Sequence, residues 1–287
     1  MGEPMAASLL RAGFAVTVCA HRNRAPLERL VAAGAVDGGD PAGVGRASDV
    51  VITMVPDAPQ VQEALFGEHG ATTAARPGTL FIDMSTISPV ATRAIDERLR
   101  AEGHRFIDCP VSGGPARAAI GTLALMVGAS DEDFAIAEPV LKALGTPNRV
   151  GPVGMGETVK LVNQIMIASI MLANVEGLVF AKKAGADVSV VRDVILSAVG
   201  SNYLLEKWLP TTWLSGSFSG GFALDLLRKD LAAALDAARA MGVPLPSAAL
   251  AYQLYTATSG HGHGRDDYSS VATFYQDAAG VDAAEKG

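Results

Sequence analysis

At 287 residues the chain has room for two domains with sizeable cores, and 49% hydrophobic against 18% charged residues describes an ordinary globular protein. A formal charge of -7 and a pI near 5.2 argue against nucleic acid or an anionic membrane surface as the main partner, so any anion it binds must meet local positive groups. Two cysteines, Cys19 and Cys109, in strand-like contexts and no secretory signal at the N-terminus point to a reducing cytoplasm without a disulfide framework.

The opening Met1 to Ala12 reads as a helix closed by Gly13, and a strand over Ala15–Cys19 follows. At the end of that strand lies a basic turn, His21-Arg22-Asn23-Arg24; a second helix then runs from about Pro26 to Ala33 and stops at Gly34. Val50–Val55, stopped by Pro56, is a fully apolar strand. Thr79–Met84, broken by Ser85-Thr86 and Pro89, is another, and His104–Cys109 is a third. Short buried strands alternating with helices predict parallel βαβ units and a doubly wound sheet. Ligands bind such sheets at the carboxyl ends of the strands, which places the turns after Cys19, Val55, Met84 and Cys109 on one binding edge. Beyond Leu144-Gly145 the character changes, and from Gly154 onward the pattern is helical with no strand. The expected architecture is therefore an α/β Rossmann-like domain over residues 1–152 and an all-α domain over 153–287, with Ala278 to Gly287 frayed at the end.

Gly154-Met155-Gly156-Glu157-Thr158-Val159-Lys160-Leu161-Val162-Asn163-Gln164 opens an apolar run that continues to about Gly185. With glycine at both ends and no internal proline it predicts one helix of about 28 residues, roughly 40 Å long. Apolar residues occupy nearly the whole circumference, which predicts burial all round. Lys160, Asn163, Gln164, Asn174 and Glu176 interrupt the run and argue against a membrane span. Lys160, Asn163 and Gln164 stand at i, i+3 and i+4 and share one face. Desolvation there would lower the Lys pKa toward proton-exchanging range and suit a general acid/base; the alternative is a snorkelling Lys beside two amides bonded to nearby backbone.

Five further stretches carry chemistry or imitate it. Ser112-Gly113-Gly114-Pro115 is a turn whose glycines let the backbone present adjacent N–H groups beside a hydroxyl, suited to a carboxylate. Ser85-Thr86 offers hydroxyls to a ligand or to an N-cap. Lys229-Asp230 is either a solvated pair or, given its apolar neighbours, something less routine. His261 and His263 in a glycine-rich loop lack a third ligand and predict no metal site, and Trp208 and Trp213 are expected to pack.

Together these motifs resemble the β-hydroxyacid dehydrogenase family, which includes 3-hydroxyisobutyrate dehydrogenase and tartronate semialdehyde reductase. The likeness rests on Met1-Gly2-x-Pro4-Met5-Ala6, Asp83-Met84-Ser85-Thr86-Ile87-Ser88-Pro89, Asp108-Cys109-Pro110-Val111-Ser112-Gly113-Gly114 followed by Gly121-Thr122-Leu123, Gly154-x-Gly156-x-x-x-Lys160-Leu161-x-Asn163-Gln164, and Lys229-Asp230-Leu231. The resemblance implies an NAD(P)-dependent oxidoreductase interconverting a short 3-hydroxy acid and its semialdehyde or keto form. It makes Lys160 the catalytic acid/base, with Ser112, Gly113 and Gly114 holding the substrate carboxylate and Asn163 and Gln164 orienting its oxygens. Gly2, Val55, Pro56, Thr86 and Lys229 match cofactor-contacting positions, and no metal is required. An acidic residue that would bond the ribose hydroxyls of NAD is absent after the second strand; Arg22, beside His21 and Arg24, favours NADP over NAD.

Family members begin with a strand and a Gly-x-Gly-x-x-Gly turn, whereas here Gly2 matches only the third glycine. The first strand and first two glycines are expected to be missing through N-terminal truncation, leaving a central sheet position unfilled and cofactor binding weakened. The long apolar helix implies a homodimer or homotetramer through the C-terminal domain. Two other readings stay in view: a catalytically silent scaffold with this fold, which has no need of Lys160 with its amides, and an imine reductase, which the same Lys and the Ser-Gly-Gly turn disfavour. The side-chain pocket is expected among Tyr203, Trp208 and Phe222.

Overall fold

The structure, a computed structural model, describes residues 1–282 and divides into two compact units, Met1–Lys160 and a second beginning at Leu161. The first unit opens with α1 (Gly2–Arg11), β1 (Thr17–Val18), α2 (Ala25–Ala32), β2 (Val36–Asp37) and α3 (Pro41–Ala47). It continues with β3 (Val50–Thr53), α4 (Ala58–Phe66), β4 (Leu80–Asp83), α5 (Pro89–Ala101), β5 (Arg105–Asp108), β6 (Val111–Ser112) and α6 (Gly114–Ala119). Next come β7 (Leu123–Gly128), α7 (Asp131–Leu144) and β8 (Gly145–Gly151). Helix starts are set locally. Asp40, Asp57, Ser88 and Ser130 each accept a hydrogen bond from a first-turn N–H, and prolines occupy the opening turns of α3, α4 and α5.

The strands β3, β4 and β5 are parallel and in register, with Thr53 opposite Asp83 and Asp83 opposite Asp108. Both faces are covered. Leu80, Ile82 and Ile107 pack with Met5, Leu9, Leu125 and Leu141, whereas Phe81 and Phe106 pack with Val61, Leu65, Ile95 and Leu99. That two-sided burial is why these strands read as unbroken apolar runs. Beyond β5 the sheet is mixed: β7 runs antiparallel to β5 and β6 and parallel to β8. The parallel expectation thus holds for β1 with β2, for β3 through β5 and for β7 with β8, and fails where β7 meets β5 and β6; the first strand is Thr17–Val18 rather than Ala15–Cys19. Among the described residues β1 pairs with β2 alone, and the other strands form a second sheet.

α8 (Met155–Lys183) is a continuous helix of 29 residues that starts in the first unit and carries on into the second. The second unit continues with α9 (Val188–Leu196), a π-helical turn at Leu204–Trp208, α10 (Leu224–Met241), α11 (Pro246–Thr258) and α12 (Ala272–Ala279). Among its described residues there is no strand. Its core gathers Met171, Val175, Leu227, Leu231, Tyr255 and Trp213, and Trp213 packs as expected while donating to Gln276 Oε1 at 3.1 Å.

Three expectations need correction. α8 is not buried all round in the single chain: Val162, Met166 and Phe180 are 49%, 55% and 76% exposed and form a stripe along one side. The His261–His263 stretch is a π-helical turn, Ser259–His263, rather than a loose loop, and His263 Nδ1 lies 2.8 Å from Asp266 Oδ2. α12 extends through Ala279, past the expected start of fraying, and the rest of that expectation, for Ala283–Gly287, falls outside the described residues.

Candidate active site

At the carboxyl edge of the first unit, the in-register ends of β3 and β4 are tied by buried side chains. Thr53 Oγ1 donates to Asp83 Oδ1 at 2.8 Å, the Ser85 N–H donates to the same oxygen at 3.1 Å, and the Val55 N–H donates to Ser85 Oγ at 3.0 Å. The two turns carrying Val55-Pro56 and Ser85-Thr86 are therefore held to each other. Ser88 caps α5, so the hydroxyls of Ser85 and Thr86 are not spent on that cap; Ser85 braces the neighbouring turn and Thr86 sits half-buried on the edge.

β5 leads through Cys109-Pro110 into β6, where Ser112 pairs opposite Ala124 of β7. Gly113 at φ +135° and Gly114 at φ +69° then turn the chain into α6, a conformation closed to ordinary side chains, and a Cβ on Gly113 would also strike Arg117. The turn is fastened to α1 from behind. Ser8 Oγ donates to the Ala118 carbonyl at 3.1 Å, and Arg11 donates to Ser8 Oγ at 2.7 Å and to the Ala119 carbonyl.

Asp108, fully buried at the end of β5, holds the start of α8. Its Oδ1 accepts from the Gly154 N–H at 2.7 Å and its Oδ2 from the Glu157 N–H at 2.8 Å. Burial pushes the Asp108 carboxyl up to about 6, the two amides offsetting only part of that effect and the nearby Asp83 adding to it. Lys160 follows Glu157 by three residues, one turn along the same helix, and is only 7% exposed. Cys109 is buried beside these acids, and burial first, then Asp108, Glu157 and Asp83, raises its thiol well out of the reactive range.

In the second unit Gln164 is buried and engaged at both ends of its amide, accepting from Asn163 Nδ2 at 2.9 Å and donating to Asp230 Oδ2 at 2.6 Å. Lys229 Nζ lies 2.8 Å from Asp230 Oδ1. Lys229-Asp230 is thus largely buried and connected to Gln164, not a solvated charge pair, and the amides bond side chains rather than backbone. Trp208 donates to Asp267 Oδ1 at 3.1 Å, so it too serves as packing with a polar tether; Tyr203 is exposed and Phe222 half-buried. Asp83, Asp108 and Asp230 were quoted in motifs but given no role by sequence reasoning. The available signal was an acid closing an apolar strand at the same place twice.

The first turn of α1 carries backbone N–H groups without intrahelical acceptors, the kind of helix start that a dinucleotide's phosphates take. Past β1, Arg24 is paired with Asp37 at 2.8 Å, whereas Arg22 and His21 are exposed. No cluster of three potential metal ligands occurs among the described residues.

The family model for the NAD binding domain of 6-phosphogluconate dehydrogenase matches residues 1–160, and that for the NAD-binding region of NADP-dependent 3-hydroxyisobutyrate dehydrogenase matches 154–275. The chain belongs to the β-hydroxyacid dehydrogenase family. It is 37% identical to 2-(hydroxymethyl)glutarate dehydrogenase of Eubacterium barkeri over 98% of this chain and 93% of the relative. It is 38% identical to 2-hydroxy-3-oxopropionate reductase of Escherichia coli over 94% of this chain and 92% of the relative. Among solved structures, 3-hydroxyisobutyrate dehydrogenase of Mycobacterium tuberculosis with L-serine superposes with a TM-score of 0.87 at 33% identity, covering 96% of this chain and 95% of that one. This β-hydroxyacid dehydrogenase is accordingly an oxidoreductase of hydroxy acids that uses NAD(P), and the Rossmann-like and helical halves are those of its family.

Proposed function

We propose that the enzyme interconverts a short 3-hydroxy acid, 3-hydroxyisobutyrate-like or glycerate-like, and its semialdehyde, with Lys160 as general acid/base. The observation that carries this reading is a buried lysine one turn into a helix whose start is fixed by the strand end that leads to the Ser112–Gly114 turn. Residues 1–152 take the cofactor and residues 153–287 supply the remaining substrate contacts and the subunit interface. In the reductive direction Ser112 and the Gly113 and Gly114 amides hold the substrate carboxylate, while the Lys160 ammonium polarises the carbonyl oxygen and gives it a proton. The bound nicotinamide supplies the hydride. Asn163 and Gln164 are proposed to orient the substrate's oxygens; Asn163 Nδ2 donates to Gln164 Oε1, and Gln164 donates in turn to Asp230, which lies beside Lys229.

NADP is favoured over NAD because Arg22 is exposed and makes no ion pair among the described residues, leaving its guanidinium available to a 2′-phosphate. Gly2, Val55, Pro56 and Thr86 complete the contacts, with Lys229 from the helical part. The exposed Val162, Met166 and Phe180 stripe on α8 supports a homodimer or homotetramer, because the chain gains by covering such a stripe with a second copy. Sedimentation of the wild type against Phe180→Glu tests this; a monomer at micromolar concentration for the wild type would exclude it.

The test of function is steady-state turnover with NADPH and NADH against a panel of short 3-hydroxy acids and semialdehydes. Lys160→Met should lower kcat by about 10²–10⁴-fold with cofactor binding retained. Cofactor binding without turnover of any panel member would favour the silent scaffold instead. Turnover confined to cyclic imines would favour the imine reductase.

A further inference from the structure

We propose that Asp108 is the positioning residue for Lys160: its carboxylate caps the catalytic helix from another strand and gives that helix and the substrate-carboxylate turn one shared anchor. This rests on the reading of Lys160 as acid/base. α8 has no cap of its own, because the residue before Met155 is Gly154, which carries no side chain. The N–H groups of Gly154 and Glu157 are buried, and an unpartnered amide there would be costly. Asp108 meets both, one with each carboxylate oxygen, across 46 and 49 residues of sequence. Two bonds from one rigid carboxylate fix the helix in rotation as well as in position, and therefore fix the direction in which Lys160 leaves it.

The space for this contact is kept by two glycines. Gly128 lies directly opposite Asp108 in the β5–β7 ladder, and a Cβ there would stand 2.1 Å from Asp108 Oδ1. A Cβ on Gly156 would stand 2.8 Å from Asp108 Oδ2 and 2.3 Å from the Met126 carbonyl oxygen. A side chain at either position would displace the carboxylate or lift the helix. Downstream of Asp108, only Cys109-Pro110-Val111 separate it from Ser112. The group that would hold the substrate carboxylate and the group that would protonate its carbonyl thus hang from the same residue.

The titratable group that acts on this carboxylate is Asp83 of β4; Cys109, next in the chain after β5, feels Asp108, Glu157 and Asp83 together, and Arg93 of α5 stands beside Gly154. Protonating Asp108 puts an O–H where an amide now donates and weakens the anchor, so the loss of activity on acidification should follow it.

The test uses the full chain with Asp108→Asn. Asn keeps one acceptor and turns an NH2 toward the other amide. The expected result is a drop in kcat of about tenfold or more with cofactor KM changed less than about threefold, and loss of the acid limb expected of the wild type near pH 6. A kcat within about twofold of wild type, or an unchanged acid limb, would overturn the proposal. A second measurement needs neither the variant to fold nor the substrate to be right. In the wild type, the amide proton shifts of Gly154 and Glu157 should titrate together with one midpoint near 6, and independent or flat titrations would overturn the anchor. If the wild type bound cofactor and turned over no hydroxy acid while those shifts titrated together, the functional reading would fail and the anchor would stand.

Discussion

Gly156→Ala adds a single methyl group, and the structure sets the size of its effect. The new Cβ would sit 2.3 Å from the Met126 carbonyl oxygen, and ordinary contact begins at 3.4 Å, so one of the two must give by about 1.1 Å. Met126 cannot easily yield, because β7 is pinned by β8 along its whole length and by β5 and β6 at its ends. The start of α8 moves instead. Lys160 lies four residues on, over the same face, so it inherits the displacement nearly in full. A misplacement of about 1 Å in a catalytic group costs on the order of 10²-fold in rate. Overpacking itself costs about 1–3 kcal/mol, a fall of roughly 2–10 °C in Tm for a chain of this size. Steady-state kinetics with saturating cofactor, alongside a thermal melt, measures both. A folded Gly156→Ala enzyme with kcat within about twofold of wild type would refute the argument that helix position governs Lys160.

Two buried aspartates should respond to pH with opposite signs. The Asp108 carboxyl titrates at about 6 when folded against 3.8 in an ordinary setting, so its contribution to stability is fully present below the ordinary value. That contribution is lost as pH rises through the folded value, a decline of about 3 kcal/mol that urea unfolding between those pH values should show in the wild type and not in Asp108→Asn. For Asp133, burial alone would raise the pKa, but the bonds from Arg105 and Arg100, with Ser130 adding to them, outweigh it and hold the carboxyl below its usual range. Its contribution is present at neutral pH and lost on acidification, so Asp133→Asn should destabilise the chain by about 2 kcal/mol at neutral pH and by progressively less in acid. Arg22→Ala should weaken NADPH binding about tenfold or more and leave NADH binding within about twofold, the share of one charge-assisted hydrogen bond, as read by nicotinamide fluorescence.

What the chain disclosed in advance depended on whether the deciding force was local. β3, β4 and β5 were legible because two-sided burial demands unbroken apolar residues, and α1, α2 and α8 because glycines close them. β8 was not legible. Gly145-Thr146-Pro147-Asn148-Arg149 is polar and mostly exposed, and only the ladder to β7 makes it a strand. β6 is two residues long, below what any pattern can show. For α8 the near-continuous apolar surface concealed which side stays open, since a helix apolar on every side has no periodicity to read.

The glycines of Gly154-x-Gly156 separate the two kinds of information most sharply. Their spacing ahead of Lys160 was visible as a motif, and a glycine pair opening a helix invites comparison with a phosphate-binding turn. The structure assigns them another duty. Gly154 offers an amide where a capping side chain would ordinarily stand, and Gly156 lets the helix lie against β7 and the Asp108 carboxylate. Neither requirement exists until β5 and β7 are in place, so no local rule could have supplied it. A cap contributed across 46 residues is a tertiary contact written as a local motif. It ties the position of the lysine to the folding of the sheet, which is why a substitution at Gly128, in a strand that carries none of the proposed site residues, should disturb the same chemistry as one at Gly156.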